Sequence, residues 1–245
     1  MRRAGQVVAS TKAKVMDAVA PGVTTGELDR IAEAEIRRLG ATPSFKGYMG
    51  VSSIPFSGCI CASLNEEIVH GIPGDRVLQE GDILSIDVGA IVEGFHGDSA
   101  FTVGVGDISK EAQSLIDATS EALRTGIAQA QADSRIGDIS SAVQEFSESR
   151  GYSVVRQYVG HGIGRALHEE PQVPNYGVPG RGPLLRKGMT IAIEPMLNVG
   201  GWETAQLDDG WTVVTADGSL SAHFEDTIAI TDEGAEVLTA LDGIL

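Results

Sequence analysis

The sequence predicts an α+β fold in which two similar halves share one central sheet. Two helix-like segments occur twice along the chain, and each pair precedes a β-rich segment. The stretch TGEL at 25–28 resembles IGDI at 136–139, and the fourteen-residue spacing Gly26–Gly40 recurs as Gly137–Gly151. No low-complexity linker separates the two parts. We therefore expect a single domain over residues 1–245, with halves of roughly 1–107 and 108–245.

Four segments have the apolar spacing of helices, namely 5–19, 25–39, 110–131 and 138–150. The second has the clearest boundaries. Thr24 and Glu27 have the spacing of a capping box, apolar residues then recur at helical intervals, and Gly40 suits the C-terminal end. Ser109 is the expected cap of the third helix.

Strands are predicted mainly after each helix pair. Residues 83–92 and 95–105 are β-rich, and Glu93-Gly94 between them favours a two-residue hairpin turn. Residues 41–82 are rich in Gly, Ser and Pro, which indicates a loop with short strands. Further strands are predicted at 152–160, 189–199, 210–215 and 222–230.

Composition narrows the function classes. The net charge of −16 argues against nucleic-acid binding, which requires a basic surface. No apolar run is long enough for a membrane span, and Lys12, Lys14 and Asp17 interrupt any signal-peptide core. We therefore expect a cytoplasmic protein, with Cys59 and Cys61 as reduced thiols.

Two carboxylates lie within the predicted hairpin. If Glu93-Gly94 is the turn, Gly89 lies opposite Asp98, and Asp87 shares the same face of the sheet. Asp87 and Asp98 then become diagonal neighbours, about 7–8 Å apart at the backbone. Two carboxylates in an apolar setting repel each other, so one must be protonated or a cation must lie between them.

Further polar residues interrupt other apolar stretches. Glu194 and Glu225 lie in β-type apolar runs, and His161 stands in the glycine-rich GHGIGR. Such an oxygen-rich set with one imidazole favours Mn²⁺, Fe²⁺, Co²⁺ or a catalytic Zn²⁺ pair over structural zinc or calcium. Two such ions can hold and acidify a water molecule. His70 and His168 are further candidates, whereas His96 and His223 are interpreted as local supporting groups.

Five ordered motifs resemble one known family, the type I methionine aminopeptidases. The motifs are VHGIP (69–73), SIDVGAIVEGFHGDSA (85–100), GHGIGRALHEEP (160–171), AIEPM (192–196) and DGWTVVTADGSLSAHFEDTIAIT (209–231). The resemblance extends from about Ala4 to Leu238. It implies the pita-bread fold, whose two pseudo-symmetric halves share a curved antiparallel sheet with helices on its outer face. It also implies removal of the initiator methionine from nascent chains, with a preference for a small second residue.

The resemblance implies a role for each matching residue. The ligands of two divalent ions (Co, Mn, Fe, Zn or Ni) would be Asp87, Asp98, His161, Glu194 and Glu225. Asp98 and Glu225 would bridge the ions, and Glu194 would also move a proton. His168 would stabilise the oxyanion, and His70 would lie near the scissile amide nitrogen. The partners implied are peptides with an N-terminal methionine, with the ribosome as a candidate, and the chain would be a monomer.

The methionine pocket would contain Cys61, Leu167 and Trp211, together with Tyr48 and Phe56. Several positions depart from the family pattern. The 51–58 loop is about five residues longer, Met49 replaces a usual histidine, Leu167 replaces a frequent aromatic residue, and Asp226 replaces a frequent histidine. These departures affect the substrate loop, the width of the slot and the charge outside the metal centre.

Two other functions remain open from the sequence. A related peptidase could cleave before proline, although such relatives carry an additional N-terminal domain. A binding module on the same fold could lack catalysis, although such relatives lose metal ligands and all five are present here. Cleavage of Met-Ala-Ser, of Ala-Pro-Ala or of neither peptide distinguishes the three.

Overall fold

The structure is a computed structural model that describes residues 1–50 and 52–240. Val51 of the predicted 51–58 loop and the predicted domain end at 245 lie outside the described residues. The described part contains four helices: α1 (Arg2–Met16), α2 (Thr25–Arg38), α3 (Lys110–Gln129) and α4 (Ile136–Glu148).

The strands form antiparallel sheets in both halves of the chain. Those before α3 are β1 (Thr42–Pro43), β2 (Ile60–Leu64), β3 (Glu67–Val69), β4 (Ile83–Val92) and β5 (Phe95–Gly104). Those after α4 are β6 (Ser153–Val154), β7 (Gly160–Gly162), β8 (Glu169–Val173), β9 (Thr190–Ile193), β10 (Met196–Asn198), β11 (Thr204–Gln206), β12 (Val213–Thr215), β13 (Ser221–His223), β14 (Asp226–Thr231) and β15 (Gly234–Val237).

Helices α2 and α3 begin where the sequence signals place them. Thr24 and Glu27 form the predicted capping box at the start of α2, and the Ser109 hydroxyl accepts the backbone N–H of Ala112 at the start of α3. Helix α1 begins three residues earlier than the predicted start at 5, and α4 begins at Ile136 rather than at 138. No helix among residues 1–50 and 52–240 combines the length and hydrophobicity needed to cross a membrane.

The β4–β5 hairpin has the predicted register. Val92 pairs with Phe95 and Gly89 pairs with Asp98. Glu93 and Gly94 have φ of 52° and 79°, and two positive values in succession are typical of a type I′ turn. The opposite edge of β4 pairs with β1 and β2 in a four-stranded sheet.

Several predicted strands are shorter than expected. The segment 152–160 contains only β6 and the first residue of β7, and residues 155–159 between them belong to no strand. The segment 189–199 is divided at Glu194-Pro195, since proline lacks the N–H that a central strand needs. Three strands that the sequence analysis did not predict, β8, β11 and β15, lie at or near sheet edges.

The predicted strand 222–230 is divided for a different reason. Glu225 lies between β13 and β14, where its N–H donates to the carbonyl of Ala100 at 3.0 Å and its carbonyl accepts from Ala100 at 3.2 Å. The Thr227 hydroxyl also donates to the Asp98 carbonyl at 2.7 Å and accepts its N–H at 3.0 Å. Backbone and side-chain bonds therefore fix β5 against the region around Glu225.

Three main apolar clusters support this arrangement. One packs α1 and α2 against the β4 sheet, around fully buried Leu28 and Ile36. The other two pack α3 and α4 against strands of the second half. Burial of each large aliphatic side chain contributes about 1.5–3 kcal/mol. Phe224 contacts all three clusters, so the segment before Glu225 is held from both halves.

Candidate metal centre

One cavity of about 690 Å³ contains every site residue that the sequence analysis singled out. Its polar wall carries the carboxylates and imidazoles, and its apolar wall carries the predicted pocket residues. The full predicted set on its lining is Asp87, Asp98, His161, Glu194, Glu225, His70, His168, Cys61, Leu167, Trp211, Tyr48 and Phe56. Segments distant in sequence therefore meet in a single site.

The hairpin brings Asp87 and Asp98 to the polar wall. Asp98 is 3% exposed, and its backbone is fixed by Thr227. One carboxylate oxygen of each aspartate, Oδ1, is buried without a hydrogen-bond partner among the described residues. The register predicted from the two-residue turn explains why both side chains leave the same face of the sheet.

His161 presents an imidazole nitrogen to the carboxylates of Asp98 and Glu194. Its Nδ1 lies 2.9 Å from the carbonyl of Gly162, which can only accept, so Nδ1 carries the proton. The free Nε2 lies 3.9 Å from Oδ2 of Asp98 and 3.6 Å from Oε1 of Glu194. Burial lowers the pKa of His161 to about 4, which keeps the imidazole neutral and able to bind a metal ion.

Asp98, His161 and Glu225 offer ligand atoms that all lie within 4.8 Å of one another. Oε1 of Glu225 is also buried without a hydrogen-bond partner in the described chain. Burial raises the pKa of Asp87 to about 7, and burial together with neighbouring carboxylates raises those of Asp98, Glu194 and Glu225 well above their ordinary values. Acceptor atoms that converge without donors fit a divalent cation.

Further imidazoles surround the centre. The His168 ring packs edge-on against His161 at 4.3 Å between centroids, and its Nδ1 lies 2.7 Å from the Tyr48 hydroxyl. His70 follows β3 with φ of 62°, a left-handed conformation that non-glycine residues rarely adopt. Its ring contacts Tyr158 and Trp211, and burial lowers its pKa to about 4.

The apolar wall is a buried cluster. Trp211 packs edge-to-face on Phe56 at 5.2 Å, and its indole N–H donates to the Ile54 carbonyl at 2.8 Å. Cys61 and Leu167 belong to the same cluster and are 5% and 4% exposed. Both Cys59 and Cys61 are free thiols.

Several cavity residues were not assigned to the site from the sequence, among them Phe45, Tyr158 and His223. Phe45 belongs to the apolar cluster and packs over Gly89, where a Cβ would lie 2.7 Å from its ring. His223 is 2% exposed, although the sequence analysis treated it as a supporting group. Its two-residue spacing from Glu225 was the available sequence signal, although β13 ends before Glu225.

Asp226, one of the departures from the family pattern, lies behind the centre. Its carboxylate accepts the Ser99 hydroxyl at 3.0 Å and the Thr239 hydroxyl at 2.7 Å, and Lys12 lies 3.6 Å away. Asp226 does not line the cavity. Its charge therefore acts on the centre from outside, balanced by Lys12.

The fold and the donor cluster define the class of protein. The sequence matches metallopeptidase family M24 over residues 1–232, so the chain belongs to this family. Family membership and the donor cluster together support the use of divalent metal. The chain is 53% identical to "Methionine aminopeptidase" of Clostridium perfringens over 241 residues, which cover 98% of this chain and 95% of that protein. It is also 53% identical to "Methionine aminopeptidase 1" of Bacillus subtilis, with 98% and 94% covered.

Solved structures show the same relationship. A crystal structure of methionine aminopeptidase from Thermotoga maritima has a TM-score of 0.95 at 46% identity and covers 98% of this chain and 95% of that one. Prolidase from Pyrococcus furiosus has a TM-score of 0.77 at 21% identity, and 63% of its chain is covered. The second likeness concerns the fold alone. The predicted pita-bread fold is confirmed.

Proposed function

We propose that this chain removes the N-terminal methionine from peptides and nascent proteins by metal-dependent hydrolysis of the first peptide bond. The observation that carries this proposal is the meeting of Asp98, His161 and Glu225 in a cavity whose lining also includes aromatic side chains. The relatives at about half identity bear the name of this activity. The prolidase likeness, at 21% identity, does not extend beyond the fold.

Two ions would be held by the five predicted ligands. Asp87, Asp98, Glu194 and Glu225 would supply carboxylate oxygens, and His161 would supply its free Nε2. The unpartnered oxygens of Asp87, Asp98 and Glu225 support this ligand set. Mostly oxygen donors with one imidazole favour Mn²⁺, Fe²⁺ or Co²⁺, with Zn²⁺ and Ni²⁺ as further candidates. When bound, divalent ions lower the pKa of water and polarise a carbonyl group.

Protein groups would orient the reaction around this chemistry. In the tautomer with an unprotonated Nδ1, the Tyr48 hydroxyl donates to Nδ1 of His168 and the proton of His168 resides on Nε2. From Nε2 the ring can donate to the developing oxyanion. Glu194, whose pKa is raised by burial, would carry a proton toward the leaving amine, and His70 would contact the scissile amide nitrogen.

The apolar wall would select the substrate side chain. Cys61, Leu167 and Trp211, with Tyr48 and Phe56, would surround an unbranched thioether, which makes favourable contacts with aromatic edges. Phe45, which packs over Gly89, would add to the apolar wall that includes Leu167. A small second residue would fit the space left next to the metal centre.

The proposal extends to the domain organisation, oligomeric state, location and partners of the chain. Residues 1–245 would act as one catalytic domain, with the 1–107 and 108–245 halves both contributing ligands. The chain would work as a monomer in the cytoplasm on emerging peptides, with the ribosome as a candidate partner. Co-sedimentation of the purified chain with ribosomes, and its elution volume on gel filtration, would test the last two points.

The decisive experiment compares the chain with its Asp98→Asn variant. We expect wild type supplied with Mn²⁺ or Co²⁺ to cleave Met-Ala-Ser but not Ala-Pro-Ala. Asp98→Asn should lower turnover by more than about 100-fold, since even outer partners of metal ligands contribute that much. It should keep a cooperative thermal transition, because asparagine replaces a carboxyl group whose pKa is already raised.

Asp232→Asn is the matched control, since Asp232 is an exposed carboxylate paired with Lys187. Its turnover should equal that of wild type. Cleavage of Ala-Pro-Ala instead would assign the chain to proline-specific hydrolysis, and cleavage of neither peptide with any metal would support a binding module. Full activity of Asp98→Asn would contradict the proposed metal centre.

A further inference from the structure

The proposed mechanism leaves one buried imidazole unused. His223 lies at the end of β13, is 2% exposed and lines the cavity. Its Nε2 is buried and has no hydrogen-bond partner among the described residues. Buried polar atoms in folded proteins almost always have a partner, and an exception inside a cavity indicates a missing water molecule or ion.

The neighbour of this nitrogen is Glu194. Oε2 of Glu194 lies 3.9 Å from Nε2 of His223, and Oε1 lies 3.6 Å from Nε2 of His161. The carboxylate therefore has an imidazole nitrogen near each of its oxygens. Both separations exceed the usual hydrogen-bond range of about 2.7–3.2 Å. Both are below about 4.2 Å, which is twice a metal–nitrogen or metal–oxygen bond.

We propose that His223 and Glu194 form an additional divalent-ion position beside the main centre. The proposal rests on the proposed function, because Glu194 serves both positions. One imidazole nitrogen and one carboxylate oxygen, completed by water, suit Zn²⁺, Co²⁺ or Ni²⁺ better than Mn²⁺ or Mg²⁺. Glu194 would then bridge through its two oxygens, with one ion on the His161 side and another on the His223 side.

The experiment counts bound zinc by equilibrium dialysis and elemental analysis. Wild type, His223→Gln and His96→Gln are dialysed against the same series of Zn²⁺ concentrations. Glutamine keeps the polar character of the side chain but removes the imidazole ligand. We expect His223→Gln to bind one zinc ion fewer per chain at saturation, with its tighter sites unchanged. Mn²⁺ counts should be the same in all three proteins.

His96→Gln is the control because His96 is half-buried, contacts Ser44 at 3.0 Å and lies outside the cavity lining. Its zinc count should equal that of wild type. A second measurement follows ¹⁵N signals of histidine in the wild-type protein during zinc addition. The Nε2 signal of His223 should shift at a higher zinc concentration than that of His161. This measurement also tests whether His223 binds zinc if the His223→Gln variant does not fold.

Equal zinc counts in wild type and His223→Gln, or an unmoved Nε2 signal, would overturn the proposal and leave His223 as a hydrogen-bonding neighbour of Glu194. Neither measurement requires peptide hydrolysis. An active aminopeptidase with unchanged zinc counts would therefore refute only this inference. A chain without peptidase activity that still lost one ion would refute the proposed function and keep the ion position.

Discussion

At the scale of single residues, removal of the Tyr48 hydroxyl distinguishes two roles of this side chain. One is to orient His168 through a hydrogen bond, and the other is to line the cavity with its ring. Tyr48→Phe keeps the ring that lines the slot but removes the hydrogen bond to Nδ1 of His168. Without that bond, the proton of His168 is free to reside on either nitrogen. We expect kcat on Met-Ala-Ser to fall about 10- to 100-fold with little change in KM, because loss of a partner that orients a site histidine has effects of this size.

Tyr152→Phe removes the same hydroxyl from a tyrosine outside the cavity and is the matched control for this measurement. Steady-state kinetics should show no change in either constant. A rise in KM with unchanged kcat for Tyr48→Phe would instead mean that Tyr48 only packs against the substrate.

A site residue could be placed from the sequence only where a local pattern determines the direction of its side chain. Asp87 and Asp98 could be paired from the sequence because strand alternation and a two-residue turn fix which side chains share a face. His223 could not be placed in the same way, because β13 ends before Glu225 and that interruption depends on Ala100, far along the chain. The Tyr48–His168 bond likewise joins two loops, for which no periodicity exists.

At the scale of elements, Gly89 links the hairpin to the apolar wall of the cavity. It lies in β4 opposite Asp98, and an added Cβ would lie 2.7 Å from both the Phe45 ring and the Ser44 side chain. Gly89→Ala should therefore lower the free energy of unfolding by about 1–3 kcal/mol through overpacking. It should also displace Phe45 and raise KM for methionyl peptides. Urea denaturation and peptide kinetics measure the two effects.

Gly74→Ala provides the comparison, because a Cβ there meets nothing within 4 Å and the backbone φ is not in the left-handed region. Its stability should remain within about 0.5 kcal/mol of wild type. Equal stability of the two alanine variants would show that Phe45 moves aside without strain.

Element boundaries were predictable only where local chemistry sets them. The caps of α2 and α3 and the β4–β5 turn are local, and the sequence analysis located them. Glu225 instead leaves its strand to pair with Ala100, and β12 pairs with the distant β3. Such pairings depend on tertiary packing, which single-sequence patterns do not contain.

At the scale of the whole molecule, the candidate metal centre lies where the two parts of the chain meet. Asp98 comes from the first part and Glu225 from the second, and the backbone of Ala100 joins them. Folding therefore brings several carboxylates together in an apolar interior. In the absence of metal, protons must take the place of cations, so proton binding and folding are coupled.

This coupling predicts how the stability of the metal-free protein depends on pH. The folded-state pKa of Asp87 is raised to about 7 from 3.8, and those of Asp98, Glu194 and Glu225 are raised further above their ordinary values. Through these carboxylates the folded state binds more protons than the unfolded state, and the stability that they contribute is lost as pH rises through their folded pKa values.

The buried histidines have the opposite shift. Burial lowers the pKa values of His161 and His223 from 6.5 to about 4 and about 3, so their effect is confined to lower pH.

Above the ordinary histidine pKa of 6.5, the histidines of the unfolded state lose their remaining protons and the effect of the carboxylates dominates. The melting temperature of the metal-free protein should therefore fall between about pH 6.5 and about pH 8.5. With saturating Mn²⁺, cations replace the protons and the fall should disappear or reverse, because ligands bind ions in their deprotonated form. Circular dichroism melting curves with and without Mn²⁺, after removal of trace metal by a chelator, test both statements. A melting temperature of the metal-free protein that rises over this range would mean that the carboxylates are ionised and compensated within the protein itself, and the convergence of unpartnered oxygens would then not require a metal ion.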